Sequence, residues 1–425
     1  MTITQYDKLD EKVYSAVLEN GLTVKIVPRP GFQRKMAYFV TDFGAIHTEF
    51  EFEGKIHRVP DGIAHFLEHK MFELPGRDVS AEFAALGANV NAFTSYDMTA
   101  YYFTCSENFT ESLALLLEFV STPYFTEESV QREIGIIDQE SGMNEDSPDA
   151  RVFEELMQCL YREHPIRVPI LGSRESLREM TPELLDLCHR AFYTPANMIL
   201  CIVGDVDAQE VTALAEKVLG TQKKPVGQKL QTWQEKMRAE KSVCDCTMEV
   251  AMPTFQMAFK AEPAPLGEAS VRAEIIGDLA AEALFGESSE LYLQMYEDGL
   301  IDSSFGGGFE SSDGCAMLTC GGDSYDAGAI RTAILNRAAE LAEQGISDED
   351  FLRMKRSALG RRIRDLDSFD STCFRICAYH FDGFEYFNFP AVYAKIRQEE
   401  VLEFLRTVVT QERCALSVIN PKEET

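Results

Sequence analysis

Long apolar runs are missing from this sequence. No stretch of about 18 consecutive apolar residues occurs in its 425 residues, so no membrane-spanning helix is expected. Basic residues are scarce: Lys and Arg number 40 against 70 Asp and Glu, a net charge of −30. Such a field repels nucleic acid and anionic lipid surfaces, which excludes both as expected partners. It attracts cations, which reads either as a solubilising surface or as a module for basic peptides. The opening segment, MTITQYDKLDEKVYSAVLENG, is polar and acidic. It has neither the basic and apolar regions of a signal peptide nor the Arg-rich character of a transit peptide, so a cytoplasmic location is expected. The eleven cysteines are odd in number, and most stand alone in apolar stretches, such as Cys201 in MILCIVG and Cys159 in LMQCL. That excludes a disulfide framework and points to reduced, buried thiols. Cys244 and Cys246 form C-x-C, with no second pair at zinc-ribbon spacing. Cys373, Cys377 and His380 fall at i, i+4, i+7, which reads as a core helix rather than a metal face.

What is present fits a globular protein, with 45% hydrophobic residues and a slightly negative mean hydropathy. The length predicts two or three domains, with two large ones possible. Alternating residues on either side of Asn20-Gly21 predict a hairpin over residues 13–30. A strand is expected near 36–44, helical periodicity over 61–73 and about 79–87, and a strand pair in VNAFTS and TAYYFTCS. Helices follow at about 107–121, 126–146 and 150–162 and after Thr181-Pro182. NMILCIVGDV then reads as a buried strand. The polar, Gln- and Lys-rich segment beyond residue 219 reads as a linker. The expected organisation is therefore a domain at 1–219 that carries the motif described next, a linker at 220–242, and a domain at 243–425 that repeats the element order without that motif. Hairpins with helices grouped between them predict an α+β fold, each domain a mostly antiparallel sheet packed against helices.

The chemistry concentrates in GIAHFLEHKMFE. His65 and His69 are four residues apart, so on a helix they project from one face about one turn apart and can bind the same zinc ion. Glu68 lies on nearly the same face, placed to accept a proton from an attacking water and to return it to a leaving amine. The order is that of the inverted zinc-peptidase signature H-x-x-E-H. The polar groups sit amid Ile63, Phe66, Leu67, Met71 and Phe72, where desolvating them without a ligand is costly. A catalytic zinc takes three protein ligands and leaves one position open. The third is expected from QREIGIIDQESGMNEDSP, where periodicity leaves Glu133, Asp138, Glu140 and Glu145 all open.

GIAHFLEHKMF, GANVNAFTSYDMTAYYF and EIGIIDQE together resemble the pitrilysin/insulinase family of inverted zinc metallopeptidases, which includes mitochondrial processing peptidase. HPIRVPILGSRESL (164–177) and FYTPANMILCIVGD (192–205) resemble two further stretches of that family. The resemblance spans nearly the whole chain and is closest to the short bacterial members. It implies Zn2+ held by His65, His69 and Glu140, Glu68 as general base, and Glu133 as a carboxylate orienting a zinc histidine. It implies that Asn91, Ala92 and Phe93 lie on an edge strand that pairs with the backbone of a peptide substrate. It also implies bowl-shaped halves that enclose peptides or unfolded segments and bar folded proteins.

One departure stands out. Family members carry an Arg and a Tyr seven residues apart in the second half, which help bind substrate and stabilise the oxyanion. In LYLQMYEDGLIDSSF, Tyr296 stands near the Arg position and Asp302 near the Tyr position. An oxyanion donor contributes roughly 3–4 kcal/mol. The resemblance therefore implies a heterodimer, in which this chain is the zinc subunit and a homologous subunit supplies the Arg–Tyr pair, or else a homodimer. The competing expectation is a non-catalytic structural or assembly subunit.

Overall fold

The computed structural model describes residues 1–422. It forms two compact units that interleave along the chain. One comprises Met1–Gln139, Pro169–Thr232 and Ile363–Asn388; the other comprises Glu140–Val168, Trp233–Arg362 and the chain from Phe389 onward. The expected halves thus each keep one sheet, while residues 140–168 and 363–388 sit with the sheet of the other half.

The first unit holds a seven-stranded sheet, ordered Thr2–Tyr6, Glu11–Val17, Thr23–Pro28, Met198–Gly204, Lys35–Thr41, Thr99–Cys105 and Asn89–Thr94. The second holds five strands, ordered Val243–Met248, Cys414–Pro421, Thr254–Ala261, Cys315–Asp323 and Gly306–Ser312. The two share a core topology. Met198–Gly204 runs parallel to Thr23–Pro28 and antiparallel to Lys35–Thr41. Cys414–Pro421 likewise runs parallel to Val243–Met248 and antiparallel to Thr254–Ala261. A hairpin completes each sheet, ending in the edge strands Asn89–Thr94 and Gly306–Ser312. All other pairings in these sheets are antiparallel, so the α+β class follows directly.

MILCIVG reads as uninterrupted apolar residues because its sheet is covered on both faces. Ala37, Phe39, Leu200, Ile202, Tyr101 and Phe103 point into a core shared with Phe66, Leu67, Leu116, Phe119 and Phe192 from the helices. Helix Phe369–Phe381 packs on Met198–Gly204 and Lys35–Thr41. From that side the Tyr38 phenol donates to Asp370 at 2.5 Å. Cys373 and Cys377 are buried in this helix, and all eleven cysteines are free. Helix Pro148–Leu160 plays the same part in the second unit, packing on Cys414–Pro421, Thr254–Ala261 and Val243–Met248.

Several short elements escape the periodicity argument. Strand Thr2–Tyr6 extends the first sheet at its edge, and the hairpin Glu49–Phe52 with Lys55–Arg58 precedes the motif helix. The segment expected as a linker is pinned. Gln228–Lys229 pairs with Glu51 and Phe50. Further on, the Glu235 carboxylate accepts the backbone N–H groups of Arg162, Glu163 and His164 and pairs with the buried Lys260 at 2.6 Å. Among the described residues no helix is long and apolar enough to cross a membrane.

His189, on helix Pro182–Phe192, lies in the first unit's core. Its Nε2–H donates to the Val120 carbonyl at 3.1 Å, and its ring stacks on Tyr193. Burial pushes its pKa down to about 4. The unfolded chain, near 6.5, therefore takes up this proton first as pH falls, so stability is lost between about pH 6.5 and pH 4 and is unaffected above that window. The shift corresponds to about 3 kcal/mol. Denaturant unfolding of wild type and His189→Gln across pH 7.5 to 4.5 should show a shallower loss in the variant; parallel curves would contradict the assignment.

Candidate metal centre

The motif helix spans Ile63–Met71. It starts at Gly62, whose φ of 87° is open to glycine at little cost, and a Cβ there would lie 2.3 Å from the Leu171 carbonyl oxygen. Gly172 meets the Asp61 carbonyl in the same way. The Leu171–Gly172 end of HPIRVPILGS is thus the buttress against which the motif helix begins. The helix buries Ile63, Ala64, Phe66, Leu67 and Met71 together with His65 and Glu68. The two imidazoles face one another, with ring centroids 4.6 Å apart. Burial first, and the neighbouring His69 second, push the His65 pKa down to about 3. The ring is therefore neutral at physiological pH, the form in which imidazole ligates a metal.

The acidic helix Glu127–Glu145 crosses this site. The division between units falls within it, after Gln139, but the helix is continuous and its Val130 and Ile137 are part of the first unit's core. Glu133 and Glu140 are seven residues apart, two turns along one face. Glu133 is buried and lies 3.0 Å from His69 Nδ1. A carboxylate only accepts, so Nδ1 carries the proton and Nε2 is the nitrogen with a lone pair that could ligate a metal. Donor atoms of His65, His69 and Glu140 lie within 4.8 Å of one another. Of the other acidic residues on the helix, Asp138 pairs with Arg174 at 3.6 Å, and Glu145 is exposed.

Two imidazole nitrogens and one carboxylate oxygen, carried by two helices, match the donor set of a catalytic zinc site. Tetrahedral ligands on a zinc ion stand about 3.4 Å apart, so a modest side-chain contraction brings this set together. Among the described residues no other group of three or more His, Cys, Asp or Glu side chains is arranged to hold a metal ion.

Glu68 lies about one turn beyond His65 and directly precedes His69, and its Oε2 accepts from the Thr94 hydroxyl at 2.7 Å. Thr94 ends strand Asn89–Thr94, the edge of the seven-stranded sheet, which also carries Asn91, Ala92 and Phe93. There the Ala92 N–H donates to Asn91 Oδ1 at 2.9 Å. Within electrostatic reach of Glu68 are the buried phenols of Tyr101 and Tyr193, 2.9 Å apart. Burial foremost, with a contribution from the Glu68 charge, raises both and keeps them protonated. The sequence offered no sign of Thr94 or the two tyrosines, because their role depends on a strand and a helix meeting far from the motif.

Tyr296 and Asp302 belong to the second unit. Tyr296, on helix Glu290–Glu297, is half exposed and stacks on Tyr292. Asp302 is exposed and accepts from the Ser304 N–H and hydroxyl, which hold its carboxyl below the usual range.

Comparison with known proteins shows a peptidase family. Residues 56–174 match the family model described as insulinase (peptidase family M16), and residues 179–358 match the one described as the peptidase M16 inactive domain. The chain is 34% identical over 429 residues to the uncharacterized zinc protease YmfH of Bacillus subtilis, covering 98% of this chain and 99% of that one. It resembles the crystal structure of a putative M16-like peptidase from Alicyclobacillus acidocaldarius with a TM-score of 0.93 and 32% identity, over 97% of this chain and 99% of the other. Pitrilysin shares the fold at a TM-score of 0.79 and 18% identity, covering 100% of this chain and 46% of that one.

Glu140→Gln should weaken zinc binding by about 100-fold or more, beyond the range typical of outer partners, while Asp138→Asn and Glu145→Gln leave it unchanged. Competition with a chromophoric chelator measures this, and equal affinity in wild type and Glu140→Gln would remove Glu140 from the donor set.

Proposed function

Because this chain belongs to the insulinase (M16) family of peptidases, we propose that it is a zinc metalloendopeptidase that hydrolyses peptides or unfolded segments. The observation that carries the reading is the convergence of His65, His69 and Glu140 beside the buried carboxylate of Glu68. His65, His69 and Glu140 would hold a zinc ion there, which would supply Lewis-acid polarisation of the scissile carbonyl and lower the pKa of a water toward about 7. The remaining work falls to the protein's own groups. Glu68 accepts the proton of the attacking water and delivers it to the leaving amine. Thr94, through its hydroxyl, holds one oxygen of that carboxylate in place. Glu133 fixes the tautomer and orientation of His69.

Substrate recognition is assigned to the edge strand. An extended peptide added alongside Asn91, Ala92 and Phe93 pairs through its backbone, which suits unfolded segments of varied sequence. The Ala92 N–H, now held by the Asn91 side chain, is the group such a peptide would compete for. Tyr296 and Asp302 supply no Arg–Tyr pair, and this supports the further proposal that a homologous subunit, or a second copy of the chain, completes the site. The alternative, a non-catalytic assembly subunit, draws on the same absence and is weakened by the intact donor set.

A fluorogenic-peptide assay separates these. Glu68→Gln should bind zinc as wild type does and lose hydrolysis altogether, and unchanged hydrolysis would overturn the mechanism. Full activity of the chain alone as a monomer would remove the paired-subunit proposal. Thr94→Val should lower kcat about 10-fold with KM unchanged, in line with loss of a charge-assisted hydrogen bond, and Thr94→Ser should restore it. A loss confined to KM would place Thr94 in substrate binding instead.

A further inference from the structure

Lys70 follows the second motif histidine and has a side chain that is 0% exposed. Its ammonium group is paired with Glu73, which lies just past the motif helix in the short strand Glu73–Leu74. The other oxygen of Glu73 accepts from Arg132 Nη2 at 2.8 Å. Arg132 precedes Glu133 on the acidic helix, and Glu133 is 3.0 Å from His69. Adjacent residues on the two helices are therefore joined twice: His69 directly to Glu133, and Lys70 through Glu73 to Arg132.

A single hydrogen bond between two helices is a pivot, about which either can swivel or slide. A second link beside the first removes that freedom. Here the second link is anchored from within. A lysine shut away from water must keep a charged partner, so Glu73 cannot swing freely into solvent and instead presents a fixed carboxylate to Arg132. What this anchoring controls lies two turns on. Glu140 is seven residues beyond Glu133, about 10.5 Å along the helix axis, so a small rotation at Arg132 and Glu133 is carried rigidly to its carboxylate.

We infer that the Lys70–Glu73–Arg132 bridge is a positioning device that sets the acidic helix against the motif helix and thereby places Glu140 opposite His65 and His69. The inference rests on the zinc reading above. These three residues act on the metal site only through the two helices and have no contact with substrate assigned to them.

The test is the zinc dissociation constant of the purified full chain, measured by competition with a chromophoric chelator, for wild type, Arg132→Gln, Arg132→Lys, Glu73→Gln and Lys70→Met. Arg132 is 54% exposed, so its replacement leaves the core intact and the thermal midpoint of the metal-free chain should not move. Arg132→Gln should bind zinc about 10-fold more weakly, the lower end of what partners outside the ligand set contribute. Arg132→Lys should recover most of that affinity, and Glu73→Gln should lose at least as much as Arg132→Gln. Wild-type affinity in both Arg132→Gln and Glu73→Gln would overturn the inference while leaving the zinc reading intact. A wild-type chain that binds no zinc would overturn the zinc reading, and this inference with it.

Discussion

A polar cluster on the apolar side of a short helix has to be satisfied from outside that helix, and much of the first unit follows from this requirement. His65 and Glu68 are buried beside Phe66, Leu67 and Met71, where unpaired imidazole and carboxylate groups are costly. Two neighbouring elements meet the need. The acidic helix brings Glu133 to His69 and Glu140 to the vicinity of both imidazoles. The edge strand brings the Thr94 hydroxyl to Glu68. The loop at Leu171 and Gly172 closes on the start of the helix so tightly that only glycine fits at position 62. Burial also keeps His65 neutral, so the surroundings that make bare polar groups expensive also make the site receptive to a metal ion.

The sheet supports this through its edge. Thr94 and the residues proposed for peptide binding share one strand, so the group that bonds Glu68 and the backbone proposed to meet substrate are fixed by the same ladder to Thr99–Cys105. The same sheet is shielded on its far face by helix Phe369–Phe381, and the second sheet is shielded by helix Pro148–Leu160. Each half of the chain thus supplies a cover for the other half's sheet. The duplication suggested by element order is a repeat of topology down to the single parallel pair, while among the described residues the candidate His–His–Glu cluster has no counterpart.

How much of this could be read from the residues depends on the range of the interaction. His65, Glu68 and His69 lie within one helical turn and a half, so their common face follows from spacing. Glu133 and Glu140 share a face by their spacing of seven. Which of them approaches the imidazoles from behind and which from the open side depends on where the helix crosses, and periodicity carries no such information. Asp138 and Glu145 remained open for the same reason. Thr94 and Lys70 were illegible because an edge-strand threonine and a lysine in a helix are ordinarily solvated, and only packing shows one bonded to Glu68 and the other fully enclosed. The helix exchange was hidden because an amphipathic pattern shows that a face is buried without naming the sheet that buries it. Short strands such as Glu49–Phe52 are set by pairing with distant segments and leave little pattern of their own.

The central claim is that two imidazoles and one carboxylate from two helices hold a single zinc ion. X-ray absorption at the zinc K-edge, on the full chain loaded with one equivalent of zinc, tests it most directly. The account predicts nitrogen and oxygen neighbours at about 2.0–2.1 Å, two imidazoles among them, and no sulfur near 2.3 Å. It also predicts that the imidazole count falls by one in His65→Ala. A sulfur shell, or an imidazole count unmoved by that substitution, would contradict it.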